Sequence, residues 1–277
     1  MNNIIPYFTV FLFGLIVGSF LNVCIYRIPR EFSITMPSSR CPSCNTPIKP
    51  WDNIPIVSYL LLGGKCRSCK TRISFRYPFV EFLNGVFYVA VVWKFGTGWH
   101  TLIYFALSSS LIVITFIDLD FQIIPDRITI PGIPIGLASS LMSMSKWFPN
   151  TIFLIDPFLR SSSLGIKNSF IGMVTGFGLF YLVALSGSAL FKKEALGGGD
   201  IKMMAMVGAL TGWKGVLSTT FFGSLTGTIV GIFLILLKGK KKETKIPFGP
   251  FLAFGAVITI FFGQEILSWY ISVSRRH

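Results

Sequence analysis

The run from Ile4 to Tyr26 contains no charged residue, and seven further apolar runs follow it along the chain. A helix needs about 20 apolar residues to cross the hydrocarbon core of a bilayer, and within that core each backbone N–H and C=O must be paired inside the segment. A chain written this way is expected to fold as a bundle of membrane-spanning helices. Composition agrees: 52% of the residues are hydrophobic, 13% are charged, and mean hydropathy is +0.68. A soluble globular domain is thereby excluded. The formal net charge of +14 would point to nucleic acid in a soluble chain. In a membrane protein, Lys and Arg accumulate on the cytoplasmic side, so the excess is read as a topology signal and no nucleic-acid partner is expected.

The expected spans are residues 4–26, 78–94, 101–117, 127–144, 170–191, 201–213, 216–237 and 251–270. The sixth is short for a crossing, so it is expected to tilt or re-enter, with Lys202 snorkelling. No basic segment precedes the first run, whereas Arg27 and Arg30 follow it, which predicts a retained span with its N-terminus outside. Residues 27–77 hold nine basic residues against Glu31 and Asp52, which puts this insertion in the cytoplasm. Lys192, Lys193 and the lysines from 238 to 245 mark the same side; Arg275 and Arg276 fall outside as a minor violation. Residues 145–168 form an outer loop, and no internal repeat is evident. The expected architecture is an all-α polytopic membrane protein of about eight transmembrane helices, with a small cytoplasmic zinc-binding domain inserted between the first two. Its parts are residues 1–26, 27–77 and 78–277.

Four of the five cysteines form two C-x-x-C pairs, Cys41 with Cys44 and Cys66 with Cys69. Two thiolates three positions apart reach one ion from a tight turn, and two such turns complete a tetrahedral four-sulfur site. Ligand softness and number favour zinc, and a loop too small for a large apolar core needs such an ion for structure. A pair of redox dithiols is the alternative. Cys24, alone in the first run, reads as a packed residue.

Acidic residues gather at two places, Asp118, Asp120 and Asp126 after the third run and Asp200 after Gly197-Gly198-Gly199. An aspartate at a helix start is ordinarily an N-cap, a reading open to Asp200 and still more to Asp126. Both clusters, however, fall on the cytoplasmic side, and ionisable groups beside transmembrane helices tend to mark function. Two carboxylates held close do not both ionise easily, which equips them for hydrolysis. The ionised one takes a proton from water as it attacks a peptide carbonyl, and the protonated one donates to the carbonyl oxygen. His100 and His277 both fall on the outer side, away from the acids. The glycines let the backbone approach a substrate strand closely.

These residues carry a family resemblance. Gly18-Ser19-Phe20-Leu21-Asn22-Val23 with Tyr26-Arg27, the two cysteine pairs, Asp52-Asn53-Ile54-Pro55, Arg76-Tyr77-Pro78 with Val80-Glu81, Asp118 with Ile124-Pro125-Asp126, and Gly197 to Lys202 together resemble the prepilin peptidases. These are type IV leader peptidases and N-methyltransferases of bacterial inner membranes. The resemblance implies that Asp118 and Asp200 are the catalytic pair, a choice the residues alone leave open. It implies a prepilin or pseudopilin substrate, cut after a glycine at the cytoplasmic membrane face. It also implies methyl transfer from S-adenosylmethionine to the new amine, tied to the cytoplasmic loop, with Gly64 and Glu81 as candidate cofactor residues. No Gly-rich nucleotide loop supports that cofactor independently. Two rival readings are a proteolysis-only aspartyl peptidase and a non-enzymatic membrane protein whose zinc loop docks a partner.

Overall fold

The computed structural model describes residues 4–144, 151–191, 196–238 and 246–274. The helices are α1 (Ile4–Arg27), α2 (Val57–Leu61), α3 (Arg76–Phe95), α4 (Trp99–Phe121), α5 (Asp126–Met142), α6 (Ile166–Phe191), α7 (Gly198–Lys238) and α8 (Gly249–Ser274). Among the described residues six helices are long and apolar enough to cross a membrane, and they make this a multi-pass membrane protein. The difference from eight has two physical sources. Helix α5, at 17 residues, is about 26 Å long, and α7 joins two helices across a break at Gly212, whose φ of 74° and ψ of 177° leave the helical region. The short sixth run therefore lies on the N-terminal side of the break and the seventh on the other. The lysine markers at 192–193 and 240–245, the pair Arg275 and Arg276, and His277 lie outside the described residues.

The chain forms two compact units, one of residues 1–97 and 104–116 and the other of residues 98–103 and 117–277. In the first, α1 and α3 touch backbone to backbone: a Cβ on Gly14 would lie 2.7 Å from the Gly85 Cα, and one on Gly18 would lie 2.6 Å from the Glu81 Cα. Buried Asn84 ties them by donating to the Gly14 carbonyl at 2.7 Å. It in turn accepts from Ser109, which pairs with Tyr88. In the second unit α6 and α7 are equally close, since a Cβ on Gly172 would strike the Gly208 carbonyl and one on Gly176 the Met204 carbonyl. Without a hydrophobic drive between helices in lipid, such contacts and interhelical hydrogen bonds hold the bundle. Ser169 adds one, donating to the Ala209 carbonyl at 2.5 Å.

Of the expected outer loop 145–168, residues 145–150 lie outside the described residues, and residues 151–168 are more ordered than a loop of mixed character. Ile155–Asp156 and Leu159–Ser163 form a short antiparallel hairpin, β1 and β2, and Phe153, Leu154, Ile155 and Phe158 are buried. A Cβ on Gly263 of α8 would lie 3.0 Å from the Pro157 carbonyl, so the hairpin packs on that helix.

Candidate active site and metal centre

Helix α4 ends one turn after Asp118, where Gln122 adopts a left-handed conformation and returns its N–H to the Asp118 carbonyl at 2.9 Å. Ile124 and Pro125 then lead into α5. Asp118 is only 5% exposed, and its Oδ2 accepts the Gly249 N–H at 2.9 Å. A Cβ on Gly249 would lie 2.6 Å from that oxygen and 3.2 Å from the Ile124 Cδ1. Only glycine allows this backbone to come up to the carboxylate. On the other side of Ile124, a Cβ on Gly199 would lie 2.7 Å from the Ile124 Cβ. The glycine that ends the triplet is therefore the one a close approach requires, while Gly198 has open space around its Cα.

Asp200 follows in the first turn of α7, its N–H bonded to the Gly197 carbonyl at 3.1 Å. It lies within electrostatic reach of Asp118. Its carboxylate turns back to the Gly197 backbone just before α7, while Oδ1 is buried and has no hydrogen-bond partner among the described residues. Buried polar atoms are nearly always paired, so an orphaned carboxylate oxygen marks a position held ready for something else.

The other acids are placed differently. Asp120 is exposed. Asp126 does not cap α5, whose N-cap is Pro125; it receives Lys202 Nζ at 2.6 and 2.8 Å. Lys202 therefore ends in an ion pair that ties the start of α5 to the start of α7.

The sequence reading passed over Gly249. The signal was present in Pro247-Phe248-Gly249-Pro250, a glycine between two prolines just before the last span.

The cysteines of the first unit sit on two copies of one turn, and this corrects the reading that the chain holds no repeat. The Cys41 N–H bonds the Thr46 carbonyl and the Cys66 N–H the Thr71 carbonyl, while Asn45 and Lys70 return their N–H to Cys41 and Cys66 from left-handed conformations, φ 56° and 59°. Outside each turn, Ile48 bonds Ser39 at 2.9 Å and Ile73 bonds Gly64 at 2.7 Å. The four sulfurs lie within 4.8 Å of one another, with Cys41 and Cys69 3.8 Å apart. A tetrahedron of metal–sulfur bonds of ~2.3 Å has edges of roughly 3.8 Å, so the cluster can hold a metal ion. Thr46 and Thr71 hydroxyls lie 3.3 Å from Cys44 and Cys69, and hydrogen bonding to them holds both thiols below their ordinary value, Cys69 at about 6. Thiolates are the form that binds metal.

The two candidate cofactor residues flank α2. Gly64, at φ 66°, sits where a Cβ would lie 2.9 Å from the Tyr59 hydroxyl. Glu81, buried on α3, accepts the Ile56 N–H at 2.8 Å. Ile56 has φ 59°, a conformation that β-branched residues avoid.

Comparison with known sequences bears on this arrangement. The profile of the bacterial peptidase A24 N-terminal domain matches residues 12–95, which hold the cysteines. That of the type IV leader peptidase family matches residues 105–232, which hold Asp118 and Asp200. A prepilin leader peptidase/N-methyltransferase of Pseudomonas aeruginosa is 34% identical over 94% of this chain and 91% of its own. The chain belongs to the type IV leader peptidase family. Proteins with the same description from Aeromonas hydrophila and Neisseria gonorrhoeae are each 35% identical, over 95% and 94% of this chain and 93% and 92% of theirs. No solved structure matches it.

Proposed function

We propose that this family member is a bifunctional prepilin-processing enzyme of the bacterial inner membrane, with Asp118 and Asp200 as its catalytic pair. The observation that carries this reading is the orphaned, buried Oδ1 of Asp200 within electrostatic reach of a second enclosed carboxylate. Asp118, whose Oδ2 is already occupied as an acceptor from Gly249, takes a proton from water as the water oxygen attacks the scissile carbonyl. Asp200 delivers a proton from its unengaged oxygen to the carbonyl oxygen, and return of protons to the amide nitrogen releases the leader. Gly249 acts through Asp118 as a positioning residue.

Residues 27–77 form the methyltransferase part, and zinc held by Cys41, Cys44, Cys66 and Cys69 is its structural ion. Between residues 28 and 75 only Cys41 and Ser58 are buried, so the loop lacks an apolar core and the ion supplies its fold. S-adenosylmethionine supplies the methyl group that joins the new amine nitrogen. The substrates are type IV prepilins or pseudopilins, and the N-terminus lies outside, with the loop and both aspartates on the cytoplasmic side.

Co-expression with a type IV prepilin, followed by mass spectrometry of the pilin N-terminus, tests the whole reading. Removal of the leader after glycine and addition of one methyl are expected. A precursor left intact overturns the protease assignment, and a cleaved, unmethylated product overturns the second activity.

A further inference from the structure

Between the later turns of α1 and the loop stretches 34–39 and 50–55 lies a cleft of about 670 Å³. Clefts that hold small organic ligands span ~300–1,000 Å³ and combine apolar walls with a few polar groups. Here Phe20 and Ile34 supply apolar surface, while Ser38 and Asn53 offer polar groups. Arg27 also lines it. Two guanidinium nitrogens of Arg27 donate to the Ser33 and Pro37 carbonyls at 2.8 and 2.7 Å, and among the described residues no carboxylate opposes its charge. The cleft thus carries a fixed, uncompensated cation.

Its walls are braced. Arg27 holds residues 33–37 through those two bonds. On the facing side, Ile54 and Pro55 lead directly into Ile56, whose N–H is fixed by buried Glu81 at 2.8 Å in an unfavourable left-handed conformation. Backbone held in such a region persists only where its surroundings impose it, and such places cluster at ligand sites.

We propose that this cleft is the site of the methyl donor, S-adenosylmethionine, with Arg27 meeting its carboxylate. The assignment rests on the methyl transfer proposed above. An anionic group is needed opposite Arg27, a flat apolar ring system suits Phe20 and Ile34, and hydroxyl and amide groups suit a ribose and a base edge. A phospholipid headgroup shares the anion, and the test separates the two.

The test uses the full chain in nanodiscs of zwitterionic lipid, with binding of labelled S-adenosylmethionine read by equilibrium dialysis. Ser38→Trp and Asn53→Trp fill the cleft, and zinc content reports that the loop is folded. At least a tenfold loss of donor affinity is expected in each. In the unaltered chain, hydrogen exchange with S-adenosylhomocysteine bound should slow in residues 34–39 and 50–55, a readout independent of the variants. Unchanged affinity, absent protection, or tryptophan variants that lose only phosphatidylglycerol association would each overturn the cleft assignment while methylation persists. A chain that neither binds the donor nor methylates a cleaved prepilin would overturn the methyltransferase reading itself, and the cleft with it.

Discussion

Around Asp118 the side chains are small and the backbones touch, whereas around the four cysteines nearly every residue is exposed and the chain is tied by its own turns. The first arrangement draws on distant segments: Asp118 with Ile124, Gly199 and Gly249 come from three places, and two of the residues are glycines because a Cβ would collide. The second is local, built twice from a handful of consecutive residues whose backbone pairing closes on itself. Packing can hold a group to a fraction of an ångström only where a core exists. A loop without one is held by turn geometry, and its four sulfurs stand close enough to hold a metal ion.

The largest effects should strike the packed region. Asp200→Asn keeps the shape but removes the acid, and prepilin cleavage measured in membranes should fall by about 10⁴-fold. Asp118→Ala should abolish cleavage as well. An active variant of either kind would break the comparison at its strongest point.

Cys41→Ser removes one ligand from the loop. Zinc content should drop and hydrogen-exchange protection over residues 40–73 should be lost, with methyl transfer going too. Cleavage should persist, because the contacts of Asp118 and Asp200 come from their own unit. Equal loss of both activities would show that the two regions are less independent than their construction implies.

Gly249→Ala is subtler, since the whole change is a methyl group 2.6 Å from a carboxylate oxygen. Displacing Asp118 by so little should cost about 10²-fold in kcat, with donor binding untouched. Gly198→Ala, where space is open, is the matched control and should cleave normally.

The smallest effect belongs to the ion pair in the loop, where Arg67 grips Asp52 with Nε and Nη2 at 2.9 and 2.6 Å and holds its carboxyl below the usual carboxylate range. A depressed acid stabilises the fold above its ordinary value and ceases to do so as pH falls through the lowered one. Hydrogen exchange of residues 50–70, corrected for intrinsic rate, should therefore be steady from neutral pH down to about 4 and rise below it. Asp52→Asn should remove that step while changing exchange only slightly at pH 7, as expected of an exposed pair.

Much of this molecule was legible in its sequence, for reasons that differ by region. Each of the apolar runs corresponds to helix, because lipid demands long uninterrupted apolar stretches. The helix faces were less legible, since helices that meet lipid on one side and each other on the next are apolar all round. The cysteine pairs were plain, yet their repeat was missed. Arg40-Cys41-Pro42-Ser43-Cys44-Asn45-Thr46-Pro47-Ile48 and Lys65-Cys66-Arg67-Ser68-Cys69-Lys70-Thr71-Arg72-Ile73 share Ser, Thr and Ile at matching positions, so the signal lay beyond the two cysteines. Among Asp118, Asp120 and Asp126 the residues alone could not choose, because the difference lies in which carboxylate the ends of α4 and α5 turn inward. Gly249 is marked in the sequence only by its neighbouring prolines, since what it contributes is a backbone N–H.

The duplicated turn also constrains how the loop comes into being. As the chain leaves the ribosome, the Cys41 turn emerges with two sulfurs and waits for Cys69 before a full coordination shell exists. A metal ion held by all four sulfurs would therefore be bound only once Cys69 has emerged, just before α3 begins at Arg76.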